Sequence, residues 1–585
     1  MAEISRKAKP FYIFLFEMIY SHPIISAALL CFFCLTVTNG NNFGDGVTYI
    51  SLVTPSVGVI ALGICAGLYT MREKPRDMKN KLISFGIMAA GFVAAAVFCT
   101  LTVLKQHYAY NLLNTGLCVI TGILIYLALR GKLTVRNGIL LIMAAGFLIR
   151  LCYIISDPIT IIQHDVGSIG SGKGGHITYI EYLYENKMLP DFDVRTVNQF
   201  YHPPLHHIFA AVWLKIQMLM NIKYEYAFEN IQLLTLFYST LCMILSYKIF
   251  RQLKLKGISL VAATAVIAFC PTFYIMAGSI NNDILSITFM LGAILNTIYW
   301  YKNQTIRNII RIALCIGLGM MTKLSAWMVA PAVAFIFIYV FIKNILDKDN
   351  RNITKYIVQY ISFLAVCAPL GLWWSVRNYI SHGVPFGYVL QLSKTSKQYI
   401  GDIPEIQRLF DFSAYQFSDV GDQFTMYNGS YNEFNPLVAL FKTSMFDEGV
   451  TVKNFADIAG INKMLFWSAV TIGIIGFISM IVISFRKSKE FSVPMKIFIG
   501  LLYAVIFLSY YIFCLKFPQV CTQNIRYAVP LIVIGAFFAG YAVKKLLEHD
   551  SALCRITGSV ICGAVTLYSI SGILVYDVVI SVMSK

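Results

Sequence analysis

The chain has 585 residues, of which 58% are hydrophobic and only 13% charged, with a mean hydropathy of +0.68. Apolar runs of about 20 residues recur along it, which excludes an ordinary soluble globular protein and identifies a polytopic helical membrane protein. The net charge of +18 does not mark a nucleic-acid binder, because the basic residues sit in short clusters between apolar runs, as cytoplasmic loops of membrane proteins do.

In chain order, apolar segments fall at 22–38, 48–70, 82–104, 111–129 and 138–156. The N-terminal basic residues precede the first of these without a small-residue cleavage site, so it reads as a retained span. Further segments fall at 229–250, 258–275, 284–301, 309–322, 325–343, 355–374, 464–485, 497–516, 528–545 and 555–577. The 309–322 segment is short, which predicts a broken hairpin with Lys323 at its outer tip. Basic loops at 72–81, 130–136, 251–256, 302–311, 343–355, 486–496 and 544–555 are assigned to the cytoplasm. Two long loops, 157–229 and 377–463, then lie on the outer side. Their aromatic and apolar residues recur at helical spacing, predicting amphipathic helices in the membrane interface. Most of the 14 cysteines lie in apolar segments and read as small core residues, with Cys514 and Cys521 as the one disulfide candidate.

Chemistry-bearing residues concentrate between 163 and 207. This stretch holds Asp165, Glu181, Glu185, Asp191, Asp193, Lys173, Lys187, Arg195 and five histidines, in a chain otherwise poor in charge. Its segment 167–174 approaches the phosphate-cradling pattern GxxxxGK[ST] but lacks the final hydroxyl residue and a preceding strand, so nucleotide binding is rejected. The glycines and Lys173 suit a mobile cover over a substrate instead. If Pro203 opens a helix, His202 and His206 lie one turn apart. With His164 and Asp165 they are candidate ligands for a divalent metal, although no tight ligand motif is present.

A family resemblance rests on the order of these features. Asp165 follows the span at 138–156, a helix ends in Asn186-Lys187-Met188-Leu189-Pro190, and Tyr201-His202-Pro203-Pro204-Leu205 turns into an amphipathic helix. Downstream come Asn282-Asp283, the run from Gly317 to Lys323, Trp373-Trp374 before Arg377-Asn378, and Arg526-Tyr527 before Pro530. Together these resemble the glycosyltransferase-C superfamily, in particular protein O-mannosyltransferases and the lipid A aminoarabinose transferases. In place of the family's usual Asp-Glu pair the chain has Asp165-Val166, followed by the glycine-rich stretch. The resemblance implies a GT-C-like transmembrane bundle with amphipathic helices in the first large outer loop. It divides the chain into accessory helices at 1–137, a catalytic core at 138–545 and a last transmembrane helix at 546–585.

The resemblance also implies the activity: transfer of a monosaccharide, with inversion, from a polyprenyl-phosphate donor to an extracytoplasmic acceptor such as a cell-wall polymer, lipid or protein. The expected partners are the lipid-linked sugar, membrane lipids and that acceptor, with no nucleic acid. The expected place is a bacterial plasma membrane with the site on its outer face. Asp165 suits the general base, and Lys323, Arg377 and Arg526, each at the outer end of a span, suit binding of the donor phosphate. His176, Tyr201, His202 and Asp283 suit contacts to substrate, and no cofactor is required apart from the candidate metal. Each has a plainer reading. The three cations serve as interface anchors, Asp165 as a solvated loop carboxylate, and Asp283 as a helix cap. The rival functions are a transporter or flippase for a lipid-linked saccharide, and a polymerase or ligase using a polyprenyl-diphosphate oligosaccharide.

Overall fold

In hydrocarbon a backbone can satisfy its own N–H and C=O groups only as a helix or a closed barrel, so the long apolar runs dictate a helical architecture. The computed structural model describes residues 108–159, 165–349, 351–417, 426–427, 430–431, 434–446, 459–486 and 491–583. Among these, 11 helices are long and apolar enough to cross a membrane. They are Tyr108–Leu129, Val135–Ser156, Tyr224–Gln252, Gly257–Gly278, Asp283–Lys302, Leu324–Leu346, Ile353–His382, Gly460–Phe485, Val493–Lys516, Pro530–Leu547 and Ala552–Met583. The protein is therefore an all-α polytopic integral membrane protein, and the described strands amount to one hairpin of two-residue strands, Met426–Tyr427 and Ser430–Tyr431. The apolar segments 22–38, 48–70 and 82–104 lie outside the described residues.

The 309–322 segment forms a helix, Ile306–Thr322, of 17 residues. Lys323 follows it in extended conformation, and a 3-10 turn, Leu324–Val329, leads into the helix Ala330–Leu346. Lys323 thus sits at the expected break, but the two helices do not pair as a hairpin: Ile306–Thr322 packs on Asp283–Lys302 and Ile353–His382, and Ala330–Leu346 packs chiefly on Val493–Lys516.

The chain divides into two compact units, Met1–Asp157 with Tyr576–Lys585, and Pro158–Val575. In the first, Thr134 caps the helix Val135–Ser156 by accepting from the Asn137 N–H at 3.2 Å. Asn114 Nδ2 donates to Asp577 Oδ1 at 2.8 Å, satisfying a carboxylate that would be costly in an apolar helix, and Tyr153 and Tyr576 pack with ring centres 5.8 Å apart.

The second unit is a helical bundle in which Ile306–Thr322 packs against both Asp283–Lys302 and Ile353–His382, while Ala459–Phe485 packs on Pro530–Leu547. Glycine permits the close approaches. A Cβ on Gly317 would stand 2.8 Å from Leu370 Cβ and 3.2 Å from the Cys367 carbonyl, and one on Gly476 would stand 2.6 Å from the Gly535 carbonyl.

The first long loop is folded around Val166, Ile177, Tyr179, Phe200, Leu214 and Phe228. It carries the helices His176–Asn186, Leu205–Leu219 and Tyr224–Glu229. Trp213 Nε1 donates to the Asn230 carbonyl and Gln217 Nε2 to the Ala227 carbonyl, both at 3.0 Å, which fixes Leu205–Leu219 on the segment that leads into the next span. The same helix leaves Phe209, Val212, Ile216 and Leu219 exposed along one edge, the amphipathic pattern of a helix lying in a membrane interface. In the second loop, buried Arg408 donates to the carbonyls of Cys514 at 2.8 Å and of Leu515 and Phe434 at 3.4 Å, tying the loop to the end of the helix Val493–Lys516.

Replacing Gly317 by Leu forces side-chain atoms into the crossing with Ile353–His382, and the expected loss is about 1–3 kcal/mol, as for other overpacked sites. Thermal unfolding in detergent measures it, and an unchanged unfolding temperature contradicts the close crossing.

Candidate active site

Four charged side chains from four distant segments meet in the second unit. Arg526 stands 3.5 Å from Asp165 Oδ2 and 3.9 Å from Asp283 Oδ2, and Lys323 Nζ is ion-paired and hydrogen-bonded to Asp283 Oδ1. The arginine distances are those of ion pairs rather than of tight hydrogen bonds.

Local structure holds each group. Asn281 Oδ1 accepts from the Asp283 N–H at 3.1 Å, so Asn281 rather than Asn282 supplies the side-chain cap of the helix Asp283–Lys302. Asn282 Nδ2 instead donates to the Thr322 carbonyl at 2.8 Å, which brings the start of that helix beside the residue preceding Lys323. Asn524 Oδ1 accepts from the Arg526 N–H at 3.0 Å, and Thr443 Oγ1 accepts from the Ile525 N–H at 2.8 Å, fixing the turn that carries the arginine. Asp165 has φ +56°, a left-handed conformation that Asp adopts more readily than most residues. It is held there by the neck of the glycine stretch. The Asp165 and Val166 carbonyls accept from the N–H groups of His176 at 3.0 Å and Ile177 at 2.9 Å. The neck closes tightly because Gly175, at φ +108°, has no Cβ, and one there would lie 2.7 Å from Gly167 N.

Burial distinguishes the two carboxylates. The Asp283 side chain is 3% exposed, whereas Asp165 is 48% exposed at the edge of the cluster. Asp283 holds the cations and Asp165 faces outward. Burial pushes the Lys323 ammonium below its ordinary value, and the Asp283 carboxylate opposes that push. Tyr527 completes the cationic side, its ring centre 4.8 Å from Lys323 Nζ and 5.1 Å from the Arg526 guanidinium, and its hydroxyl 3.1 Å from Arg526 Nη2.

Beside the carboxylates lies a stack of aromatic rings. Tyr201 packs on His202 at 4.5 Å, His202 on His176 at 5.8 Å, His176 on His207 at 5.1 Å, and His207 on Tyr179 at 4.2 Å. His176 Nδ1 and His207 Nε2 share a hydrogen bond of 2.8 Å, and His206 Nε2 bonds the Ile280 carbonyl at 2.8 Å. Burial holds all four imidazoles below their ordinary value, with Lys323 adding to the effect at His202, so that His202 falls to about 3 and His206 to about 4. All four are neutral near pH 7.

The sequence candidates thus divide. Asp165, Asp283, Lys323 and Arg526 converge, with His176, His202 and Tyr201 next to them. Arg377 forms no ion pair with either carboxylate among the described residues. It donates to the Pro190 carbonyl and to Asn378 Oδ1 at 3.0 Å, and lies 5.0 Å from the Trp374 ring centre. The one-turn spacing of His202 and His206 does not form, because the helix begins at Leu205 with Pro204 as its N-cap residue and leaves His202 in the preceding turn. His164 lies outside the described residues, and among those described no group of three or more His, Cys, Asp or Glu is placed to hold a metal ion. Sequence reasoning missed His207, Tyr179, Tyr527 and Asn281. Only Tyr527, adjacent to Arg526, had a local signal.

Removing one partner of a buried ion pair strands the other. Lys323→Met and Asp283→Asn are each expected to destabilise the protein by about 3–5 kcal/mol, and the double variant by much less than the sum. Thermal unfolding of the single and double variants measures the coupling, and additive losses contradict the pairing.

The histidines give a pH dependence. The unfolded chain binds protons near pH 6.5 and the folded chain does not, so their contribution to stability is complete above about pH 6.5 and is lost as the pH falls toward 4. Each imidazole adds up to about 1.4 kcal/mol per pH unit to that slope. The unfolding temperature should fall between about pH 6.5 and 5, above the ordinary carboxylate range, and fall less in His206→Gln. A flat profile over that interval contradicts the neutral stack.

Residues 201–373, less than a third of the chain, match the family model described as dolichyl-phosphate-mannose-protein mannosyltransferase. The matched region contains Tyr201, His202, Asp283 and Lys323. Solved structures with a related shape include ArnT from Cupriavidus metallidurans in the apo state, with 13% identity, 76% of each chain covered and a TM-score of 0.42. The Archaeoglobus fulgidus oligosaccharyltransferase tethered to an acceptor peptide has 15% identity and a TM-score of 0.40, with 76% of this chain and 55% of that one covered. A search of curated proteins finds no match. The family match over residues 201–373 and the polytopic helical fold support the resemblance read from the sequence, to membrane glycosyltransferases of the glycosyltransferase-C type.

Proposed function

We propose that the protein transfers a monosaccharide from a polyprenyl-phosphate donor to a hydroxyl of an extracytoplasmic acceptor, with inversion, using Asp165 as general base. The observation that carries this reading is the convergence of Asp165, Asp283, Lys323 and Arg526 from separate segments onto one cluster. Asp165 takes the proton of the acceptor hydroxyl as its oxygen attacks the anomeric carbon. The bond from that carbon to the phosphate oxygen breaks, its electron pair stays on the phosphate, and Arg526 and Lys323 stabilise the charge that develops. Asp283 keeps the two cations in place while the cluster is empty of donor.

An apolar cavity of about 130 Å³ supports a lipid-borne donor. It is lined by residues such as Leu440, Phe441, Phe477, Tyr503 and Phe538, and Ile525, next to Arg526, lines both this cavity and the smaller pocket at Asp283 and Arg526. A phosphate at Arg526 therefore has apolar surface within reach for its chain. Arg377, tied to the first loop through the Pro190 carbonyl, is assigned to holding that loop rather than to the phosphate. Against a transporter, which places its ionisable groups within the bundle near the bilayer midplane, the four charges here stand at helix ends and in loops.

The test is transfer by purified protein supplied with polyprenyl-phosphate-linked sugars. Asp165→Asn should lower turnover by at least about a hundredfold while donor binding persists. Arg526→Lys should cost about ten- to a hundredfold in donor use, since a point charge does not reproduce a two-point grip. Near-normal turnover of the Asn variant sinks the base assignment, and an unchanged donor dependence of the Lys variant removes Arg526 from the phosphate.

A further inference from the structure

The bond between His176 and His207 fixes which ring nitrogen of His176 carries its proton. Both imidazoles are neutral, so each carries one N–H and only one proton lies between His176 Nδ1 and His207 Nε2. If His176 donated, His207 would carry its own proton on Nδ1. That nitrogen is sealed from solvent and has no hydrogen-bond partner. A sealed N–H with no acceptor is rarer and costlier in proteins than a sealed lone pair. His207 is therefore the donor, and the His176 proton resides on Nε2.

His176 lies next to the charged cluster through its main chain and its packing on His202. The backbone N–H of His176 bonds the Asp165 carbonyl at 3.0 Å, and the carboxylates of Asp165 and Asp283 partly oppose the burial that holds its imidazole neutral. His176 Nε2 makes no hydrogen bond within the described protein and, unlike His207 Nδ1, is not a sealed atom. Its N–H thus keeps its hydrogen-bonding capacity unspent, on the residue whose main chain holds Asp165.

We infer that His207 is a positioning residue that locks His176 in its Nε2–H tautomer, so that His176 donates a hydrogen bond to a hydroxyl or ring oxygen of the saccharide held over Asp165. The saccharide rests on the function proposed above, whereas the tautomer does not depend on it. A donor suits this place because the neighbouring Asp165 and Asp283 only accept. It directs a sugar oxygen toward His176 and leaves Asp165 for the reacting hydroxyl.

The tautomer is read by nitrogen-15 NMR of histidine-labelled protein in detergent at about pH 8, above the ordinary imidazole range. Signals are assigned by their loss in His176→Gln and His207→Gln. His176 should show a protonated Nε2 and an unprotonated Nδ1, and the reverse overturns the inference whatever the protein transfers. Activity tests the second half. His176→Asn, whose amide lies near the Nδ1 position, should lose about three- to tenfold in kcat/KM, the effect of one neutral hydrogen bond, and His176→Gln, with an N–H near the Nε2 position, should recover most of it. His207→Phe should cost a similar factor in the wild-type background but add no further loss in His176→Gln, which has no tautomer to lock. An equal loss in both backgrounds shows that His207 merely packs and overturns its positioning role. Equal activities of the Asn and Gln variants overturn the donor role of His176. If no lipid-linked sugar is transferred by the wild-type protein, the proposed function fails while the NMR result still decides the tautomer.

Discussion

The ion pair between Asp283 and Lys323, with Arg526 beside it, is the constraint on which the site depends. Moving charges out of water costs several kcal/mol per ion, and only close opposite charges and hydrogen bonds offset it. The Asp283 side chain is 3% exposed and Arg526 8%. The residues around them therefore do a specific task. Asn281 and Asn282 register the start of one helix against the end of another, and Asn524 and Thr443 present the turn that carries the arginine. A cluster assembled in this way is preorganised: its dipoles and charges are oriented before substrate arrives, which is the condition under which electrostatic stabilisation contributes most to a rate.

The glycine stretch solves a second problem, presenting a carboxylate at the edge of that cluster without burying it. Glycines at the neck let two strands of backbone approach at van der Waals distance, and the bonds from His176 and Ile177 hold Asp165 in a left-handed conformation. Glu181 anchors the far side of the stretch by accepting from the Gly170 N–H at 2.8 Å. The likeness of this segment to a nucleotide-binding loop is thus a likeness of composition. Its glycines serve a closed neck and a positioned aspartate.

Much of this was legible in the sequence because hydropathy acts over whole segments, and a run of 20 apolar residues has one solution in lipid. The span ends followed, and with them Asp283, Lys323 and Arg526 as charges at such ends. What sequence could not distinguish was Arg377 from Arg526. Both stand at a span end beside an aromatic residue, yet one bonds the Pro190 carbonyl and the other reaches two carboxylates, a difference set by packing between segments far apart in the chain. The histidines illustrate the same limit. A pattern of i and i+4 suggests that His202 and His206 face one ligand, but the helix begins only at Leu205, after the two prolines, and leaves His202 outside it. The pair that does bond, His176 with His207, belongs to different helices and leaves no local trace.

The most direct test of the account is a structure of the protein with a polyprenyl-phosphate monosaccharide bound. The account predicts the phosphate between the Lys323 ammonium and the Arg526 guanidinium, with the anomeric carbon facing Asp165. A phosphate seated at Arg377, or anywhere away from the cluster of Asp165, Asp283, Lys323 and Arg526, would contradict it.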